Sequence, residues 1–103
     1  MVVIDEPRDW GAPFNRRWGP SAHLISDLAG EEGTRELVAF AGALGIPPEA
    51  IQHAGRYSEH FDLAGPWLEA ARAAGAEPID RYRLVAILRA KREARPSLPP
   101  PAR

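Results

Sequence analysis

The chain of 103 residues contains no cysteine. It therefore has no disulfide framework, no thiolate nucleophile and no cysteine-ligated zinc, and any metal ion would be held by nitrogen and oxygen atoms. It also lacks an apolar run near the ~20 residues that span a membrane, and its N-terminus has no basic stretch followed by a long apolar segment. We therefore expect a cytoplasmic protein with no membrane partner.

Three motifs of common enzyme classes are also absent. The sequence has no glycine-rich phosphate loop, no Gly-x-Ser-x-Gly elbow and no His-Glu-x-x-His pair. These motifs mark nucleotide-binding loops, serine hydrolases and zinc proteases, respectively. Any catalytic function must therefore come from residues that lie apart in the sequence and are brought together by the fold.

Length and composition indicate one soluble domain. The hydrophobic fraction of 45% and the charged fraction of 26% are ordinary for a globular protein, and a chain this short has room for one modest core. Residues 1–95 are expected to form this domain. The triple proline near the C-terminus predicts a disordered, proline-rich tail over residues 96–103.

The net charge of −1 conceals an uneven distribution. Residues 81–103 carry a charge of +6, whereas residues 1–80 carry −7. A basic end of this kind can contact nucleic acid. It is also typical of a solvated helix with cations at its C-terminus, where the helix dipole favours them.

The order of the apolar segments predicts an α/β fold. About three short, mostly parallel strands are expected, at residues 1–4, 57–63 and 77–79. Four or five helices are expected among them, at 21–29, 34–44, 47–52, 67–74 and from 80 onward. In the clearest helix, the predicted core stripe consists of Leu37, Val38, Phe40, Ala41 and Leu44. Residues 8–20 are rich in glycine, proline and aromatics, which favours a covering loop or lid.

Two pairs of histidine and aspartate stand out. His60 and Asp62 are two residues apart, which puts both side chains on one face of an extended segment. His23 and Asp27 are four apart, which stacks them on one face of a helix. The alternative is that His23 and Asp27 form an ordinary surface hydrogen bond, and that His60 and Asp62 merely flank a buried phenylalanine.

A shared site is the sharper hypothesis, because the carboxyl ends of parallel strands gather at one edge of a sheet. Asp5, which ends the first predicted strand, would join the two pairs there. The predicted metal ligands are therefore Asp5, His23, Asp27, His60 and Asp62, and the predicted catalytic residues are His60, Asp62 and His23. With two imidazoles and several carboxylates, the expected cofactor is a divalent ion, namely magnesium, manganese or zinc.

The order of several short segments resembles a bacterial and phage family known as domain of unknown function 4031. The similarity spans about residues 2–88 and rests on Ile4-Asp5, His23-Leu24-Ile25-Ser26-Asp27, Glu36-Leu37-Val38-Ala39-Phe40-Ala41, Gly45-Ile46, Gln52, His60-Phe61-Asp62-Leu63 and Gly75-Ala76. The resemblance implies no established activity. It implies that Asp5, His23, Asp27, Gln52, His60 and Asp62 occupy matching family positions.

This chain also departs from the pattern of the family it resembles. Trp67-Leu68 stands where members often have Lys-Arg, so an anion contact there would be lost. Together with the tryptophans of the lid, this change suits a more apolar substrate. Gln52, Trp18 and Trp67 are the expected substrate-binding residues.

Three functions fit these features. The first is a small metal-dependent hydrolase that acts on a small molecule or a phosphoester. The second is a non-catalytic binding or accessory module, whose nucleic-acid version rests on the basic last helix and is opposed by the acidic remainder of the chain. The third is metal-free acid/base catalysis on a small apolar substrate, with His60 as the base and the aromatic loop excluding water.

Overall fold

The computed structural model describes residues 1–94, in which four strands and four α-helices alternate along much of the chain. The strands are β1 (Val2–Ile4), β2 (Ser21–Ser26), β3 (Phe61–Ala64) and β4 (Glu77–Pro78). The helices are α1 (Pro13–Trp18), α2 (Gly30–Ala43), α3 (Pro66–Ala73) and α4 (Arg81–Ala94), with a 3₁₀ helix at Pro48–Ala50. The predicted disordered tail at 96–103 lies outside the described residues.

The strands form one mixed sheet in the order β3-β2-β1-β4. β2 pairs antiparallel with both β1 and β3, and only β1 and β4 are parallel. The prediction of an α/β fold is confirmed. The predictions of three strands and of a mostly parallel sheet are wrong, because the second strand lies in a segment that was expected to be a helix.

Residues 21–29 were predicted to form a helix, but the structure has strand β2 there instead. Ala22 and Leu24 face one core cluster, while Ile25 faces another. β2 is therefore a central strand with both faces covered, and such a strand shows no polar and apolar alternation. The spacing of four residues between His23 and Asp27 would place them together on a helix, but it has no such effect in a strand.

Helices cover both faces of the sheet. The larger cluster joins α2 and α3 to one face through side chains that include Leu37, Ala41 and Phe61. The smaller cluster joins α4 to the other face through Val3, Ile25 and Ile87. The domain therefore has three layers, with the sheet in the middle.

Both long helices bury only part of their apolar surface, and the buried part of α2 differs in detail from the predicted stripe. In α2, Leu37 and Ala41 are fully buried, whereas Phe40 is only partly buried at the edge of the core. In α4, Leu84 and Leu88 pack against the sheet, but Val85 is 52% exposed. Lys91 of α4 is 3% exposed and donates a hydrogen bond to the carbonyl of Ser26 at 2.8 Å, so this basic side chain does not face solvent.

The segment at residues 8–20 is not a continuous loop, because it contains helix α1 with Pro13 in its first turn. Asn15 fixes the segment from within, since its side-chain amide donates to the Gly19 carbonyl at 3.1 Å and to Ser21 Oγ at 3.0 Å. Trp10 lies over His23 with ring centroids 5.5 Å apart. The segment therefore does cover part of the sheet, as a lid would.

Within residues 1–94, no helix has the length and apolarity to cross a bilayer.

Candidate functional site

The sheet register brings two of the candidate side chains together directly. His23 in the middle of β2 pairs with Asp62 of β3. On its other side, the backbone N–H of Asp5, the residue after β1, donates to the carbonyl of His23 at 3.2 Å. Directly opposed residues in a sheet project to the same face. Asp5, His23 and Asp62 therefore form a row across three neighbouring strands.

Asp5 holds His23 at two points. One carboxylate oxygen accepts a hydrogen bond from the backbone N–H of His23 at 2.6 Å. The other lies 2.8 Å from Nδ1 of the same imidazole. Since a carboxylate accepts, Nδ1 carries the proton in the neutral ring and Nε2 keeps a free lone pair. Asp5 thus fixes the orientation and the tautomer of His23.

His60 has the same arrangement with a different partner. Its Nδ1 lies 2.8 Å from the backbone carbonyl of Ser58, which can only accept, so Nδ1 is the donor. The Nε2 atom of His60 lies 3.5 Å from an oxygen of Asp62. His60 therefore also presents a free nitrogen toward that carboxylate.

The three side chains converge on one point. Nε2 of His23 lies 3.8 Å from Asp62 Oδ1, and the ligand atoms of His23, His60 and Asp62 all lie within 4.8 Å of one another. The two imidazole centroids are 4.9 Å apart. In the neutral-histidine state all three facing atoms are acceptors with no donor between them. A proton or a cation at the centre would satisfy all three acceptors at once.

A family model described as a protein of unknown function, DUF4031, matches residues 2–91. The chain belongs to DUF4031. This confirms the resemblance found in the sequence, and the family description names no activity. No curated protein and no solved structure matches the chain.

In this DUF4031 protein, one of the predicted ligands lies away from the histidines. Asp27 follows β2, and its carboxylate lies 2.7 Å from the ammonium of Met1. The predicted helical pairing of Asp27 with His23 is therefore wrong, because β2 is extended. Asp5 does reach the group, but both of its oxygens are engaged by His23 rather than facing the point of convergence.

The predicted substrate-binding residues separate into two places. Gln52 forms an antiparallel bridge with His60 and lines a cleft of about 480 Å³ together with Trp10, Asn15 and Asp62. Trp18 and Trp67 instead pack edge to face on each other, with ring centroids 5.4 Å apart. Neither tryptophan lines the clefts described around the histidines.

His53 was not among the residues predicted for the site. Its ring lies edge-on to His60 with centroids 5.3 Å apart, and its Nδ1 is 3.0 Å from Ser58 Oγ. The three histidines of the chain thus lie side by side. The available signal was His53's position next to Gln52, but the bridge from Gln52 to His60 is not visible in a sequence.

The interaction of His60 with Asp62 shifts both groups. Burial opposes a charge on His60, but the hydrogen bonds to Asp62 and to the Ser58 carbonyl outweigh it and raise the pKa of His60 above its ordinary value. The hydrogen bond from His60, partly offset by burial, lowers the pKa of Asp62. Without a metal ion, the pair therefore favours a protonated imidazole beside an ionised carboxylate.

These shifts predict how the stability of chelator-treated protein depends on pH. The contribution of His60 is fully present below its ordinary pKa of 6.5 and is lost as the pH rises through its raised value. That of Asp62 is present above its ordinary pKa of 3.8 and is lost as the pH falls through its lowered value. The melting temperature of the wild-type protein should therefore exceed that of Asp62→Asn at both pH values, and the difference should be larger at pH 5 than at pH 8.5. An equal difference at both pH values would contradict this coupling.

Proposed function

We propose that this DUF4031 protein is a metal-dependent hydrolase in which His23, His60 and Asp62 hold one divalent cation. The observation that carries the proposal is the convergence of three acceptor atoms without a donor, two of them imidazole nitrogens whose other nitrogen is already fixed. Metal-binding histidines typically donate their second nitrogen to a carboxylate or a backbone carbonyl. Asp5 supplies the carboxylate for His23, and Ser58 supplies the backbone carbonyl for His60.

The distances to Asp62 require a contraction of less than 1 Å, whereas the two imidazole nitrogens, which lie within 4.8 Å of each other, would also have to move together around an ion. Around a tetrahedral ion with bonds of about 2.0–2.1 Å, neighbouring ligand atoms lie roughly 3.3 Å apart. The carboxylate oxygen of Asp62 is 3.5 Å from His60 Nε2 and 3.8 Å from His23 Nε2. The Asp62 side chain is 40% exposed, so it has room to adjust. Two imidazoles favour zinc over magnesium and manganese, which prefer oxygen ligands.

Three protein ligands leave coordination positions open, as catalytic metal sites do and structural zinc sites do not. Asp62 also lines the cleft of about 480 Å³, whose size is within the range of small-molecule sites. A bound ion would supply an activated water molecule and polarise a substrate oxygen. The chain itself would orient the substrate through the Gln52 amide and limit water with the Trp10 ring.

The test compares two aspartates of the same chain. Tag-free protein loaded with zinc or manganese is assayed on p-nitrophenyl phosphate and bis-p-nitrophenyl phosphate. Hydrolysis should require the ion, should be lost in Asp62→Asn and should persist in Asp27→Asn, because Asp27 lies away from the cluster. Turnover that Asp62→Asn retains in full, or none from loaded wild-type protein, would count against the proposal.

Asp5 gives a second test of the same arrangement. We expect Asp5→Asn to weaken metal binding by about 10–100-fold, because an amide polarises the His23 ring less than a carboxylate does. Calorimetric titration with zinc chloride measures the affinity. An unchanged affinity in Asp5→Asn would mean that His23 does not bind the ion through Nε2.

One observation favours metal-free acid/base catalysis as the second candidate. The contact of 2.8 Å between Asp5 and His23 Nδ1 is the arrangement that orients a histidine base in hydrolytic triads. On this alternative the base is His23 rather than His60, whose Nδ1 contacts a neutral carbonyl. Activity that survives exhaustive chelation but is lost in Asp5→Asn would favour it.

The nucleic-acid alternative rests on α4 and has less support from the structure. Lys91 is buried, so it is not part of the exposed basic surface. Arg92 lies over the ring of Tyr57 with its guanidinium carbon 6.0 Å from the centroid. The exposed arginines of α4 would still have to overcome the negative charge of residues 1–80.

A further inference from the structure

A second cavity adjoins the histidine cluster on the side of α4. It has a volume of about 140 Å³ and lies between that helix and the sheet. Ile25 of β2 contributes to it from the sheet, and Leu84 and Leu88 contribute from one turn of α4. His23 and His60 also line it, so the cavity borders two of the three residues whose ligand atoms converge. Asp62 does not line it.

The lining is mainly apolar. Three of the residues are aliphatic, and the ring nitrogens of His23 and His60 lie toward Asp5, Asp62 and the Ser58 carbonyl. The two imidazoles therefore present mainly ring carbon to the cavity. Aromatic ring edges and faces of this kind favour an aromatic guest over an aliphatic one.

The walls of the cavity are fixed to one another. Lys91 ties α4 to the sheet through the Ser26 carbonyl at 2.8 Å. Arg92 lies over Tyr57, which connects the same helix to the loop that carries His53 and Ser58. Both contacts lie beyond Leu88 along α4. They join the C-terminal part of the helix to the sheet and to that loop.

His53 completes the lining at a cost in backbone energy. Its φ of 54° makes it the sole non-glycine residue with positive φ among residues 1–94. Histidine tolerates this conformation better than most side chains, but glycine would be less strained. Strained backbone of this kind is concentrated at binding and catalytic sites. Here it places an imidazole beside His60 and against Ser58.

We propose that this cavity binds an aromatic ring of the size of benzene, carried by the substrate, and that His53 helps to select it. An enclosed apolar cavity of about 150 Å³ is known to hold benzene, and the present one has a similar volume of about 140 Å³ but is partly open to solvent, which leaves room for a substituent on the ring. The role as a substrate subsite rests on the proposed function, since a ring seated here would direct its polar substituent to His23, His60 and Asp62. The substrate class is then a small phenyl compound with a hydrolysable polar group.

The first experiment needs no metal. Benzene is titrated into chelator-treated, tag-free protein while methyl resonances are followed by NMR. Saturable shifts are expected at Ile25, Leu84 and Leu88, with none at Val85, which lies on α4 but is 52% exposed and outside the cavity. Absence of saturable shifts at the cavity methyls would overturn the inference.

Two variants of adjacent residues provide a matched control. Leu84→Phe fills the cavity and should weaken benzene binding by about tenfold or more, whereas Val85→Phe adds the same ring outside the cavity and should leave binding unchanged. Equal weakening in both variants would overturn the assignment to this cavity. If Leu84→Phe does not fold, the wild-type titration still decides the matter.

The second experiment uses zinc-loaded protein and compares phenylphosphonate with methylphosphonate. We expect the phenyl compound to bind on the order of 30-fold more tightly, because several additional carbons are buried. Equal affinities would overturn the subsite role. If benzene binds the metal-free protein but zinc does not bind at all, the proposed function fails and the aromatic cavity stands.

Discussion

Phe61→Ala is expected to lower the free energy of unfolding by about 3–5 kcal/mol, as found when a fully buried aromatic ring leaves a cavity. Phe61 is 1% exposed and is the largest of the fully buried side chains. It lies between His60 and Asp62 in sequence but packs on the opposite face, in the core shared with α2 and α3. The ring therefore anchors the strand that carries the two site residues.

The matched control is Phe40→Ala, which removes the same ring from α2. Phe40 is only partly buried against the same cluster, so we expect roughly half of the effect. Urea denaturation measures both variants, with the change read from the midpoint at a constant slope. A loss below about 1 kcal/mol for Phe61→Ala would mean that this ring is not a core anchor.

Loss of a residue that hydrogen-bonds to a metal ligand typically reduces metal affinity by about 10–100-fold. His60→Ala removes a ligand itself, so it is expected to reduce zinc affinity by more than that. It removes one of three ligand atoms, and two protein ligands hold an ion poorly. Imidazole Nε2 is a ligand only when unprotonated, so wild-type affinity should also fall as the pH is lowered through the raised pKa of His60.

The control for this variant is His53→Ala, which removes a neighbouring imidazole that is not part of the convergent group. Its zinc affinity should stay within a few-fold of wild type. Calorimetric titration at pH 7.5 measures all three proteins, and circular dichroism checks that they fold. If His53→Ala lost as much affinity as His60→Ala, the ligand set would be different from the one proposed.

Local patterns were sufficient to predict some of the fold. The apolar stripe around Leu37 identified α2, and the short β-branched run before Asp5 identified β1. Each pattern reflects hydrophobic periodicity or residue preference within a single helix or strand. The predicted start of this helix at residue 34 was less accurate. In the structure α2 begins at Gly30, with two glutamates in its first turn.

The arrangement of strands could not be predicted in this way. β2 is covered on both faces, so its sequence lacks the alternation that reveals a strand with one exposed face. With β2 taken for a helix, the remaining strands suggested a parallel sheet. Pairing partners of a strand are set by residues far along the chain, and Asp62 is distant in sequence from His23, its partner across β2 and β3.

The candidate site was also predicted correctly where it depends on local spacing and incorrectly where it depends on pairing between distant segments. His60 and Asp62 share a face because that segment is extended, as their spacing of two residues predicts. His23 and Asp5 join them through the antiparallel register, not through helical spacing or parallel strand ends. The spacing of Asp27 from His23 carried no structural information. His53 was missed because its position depends on a loop that folds back onto His60.

Metal analysis of protein produced without a histidine tag shows whether His23, His60 and Asp62 bind one divalent ion. The protein is incubated with zinc or manganese, freed of excess ion by gel filtration and measured by elemental analysis beside His60→Ala treated identically. We expect about one ion per wild-type chain, by analogy with single-ion sites of three ligands, and only background in His60→Ala. No retained ion in the wild type, or an equal amount in both proteins, would contradict it.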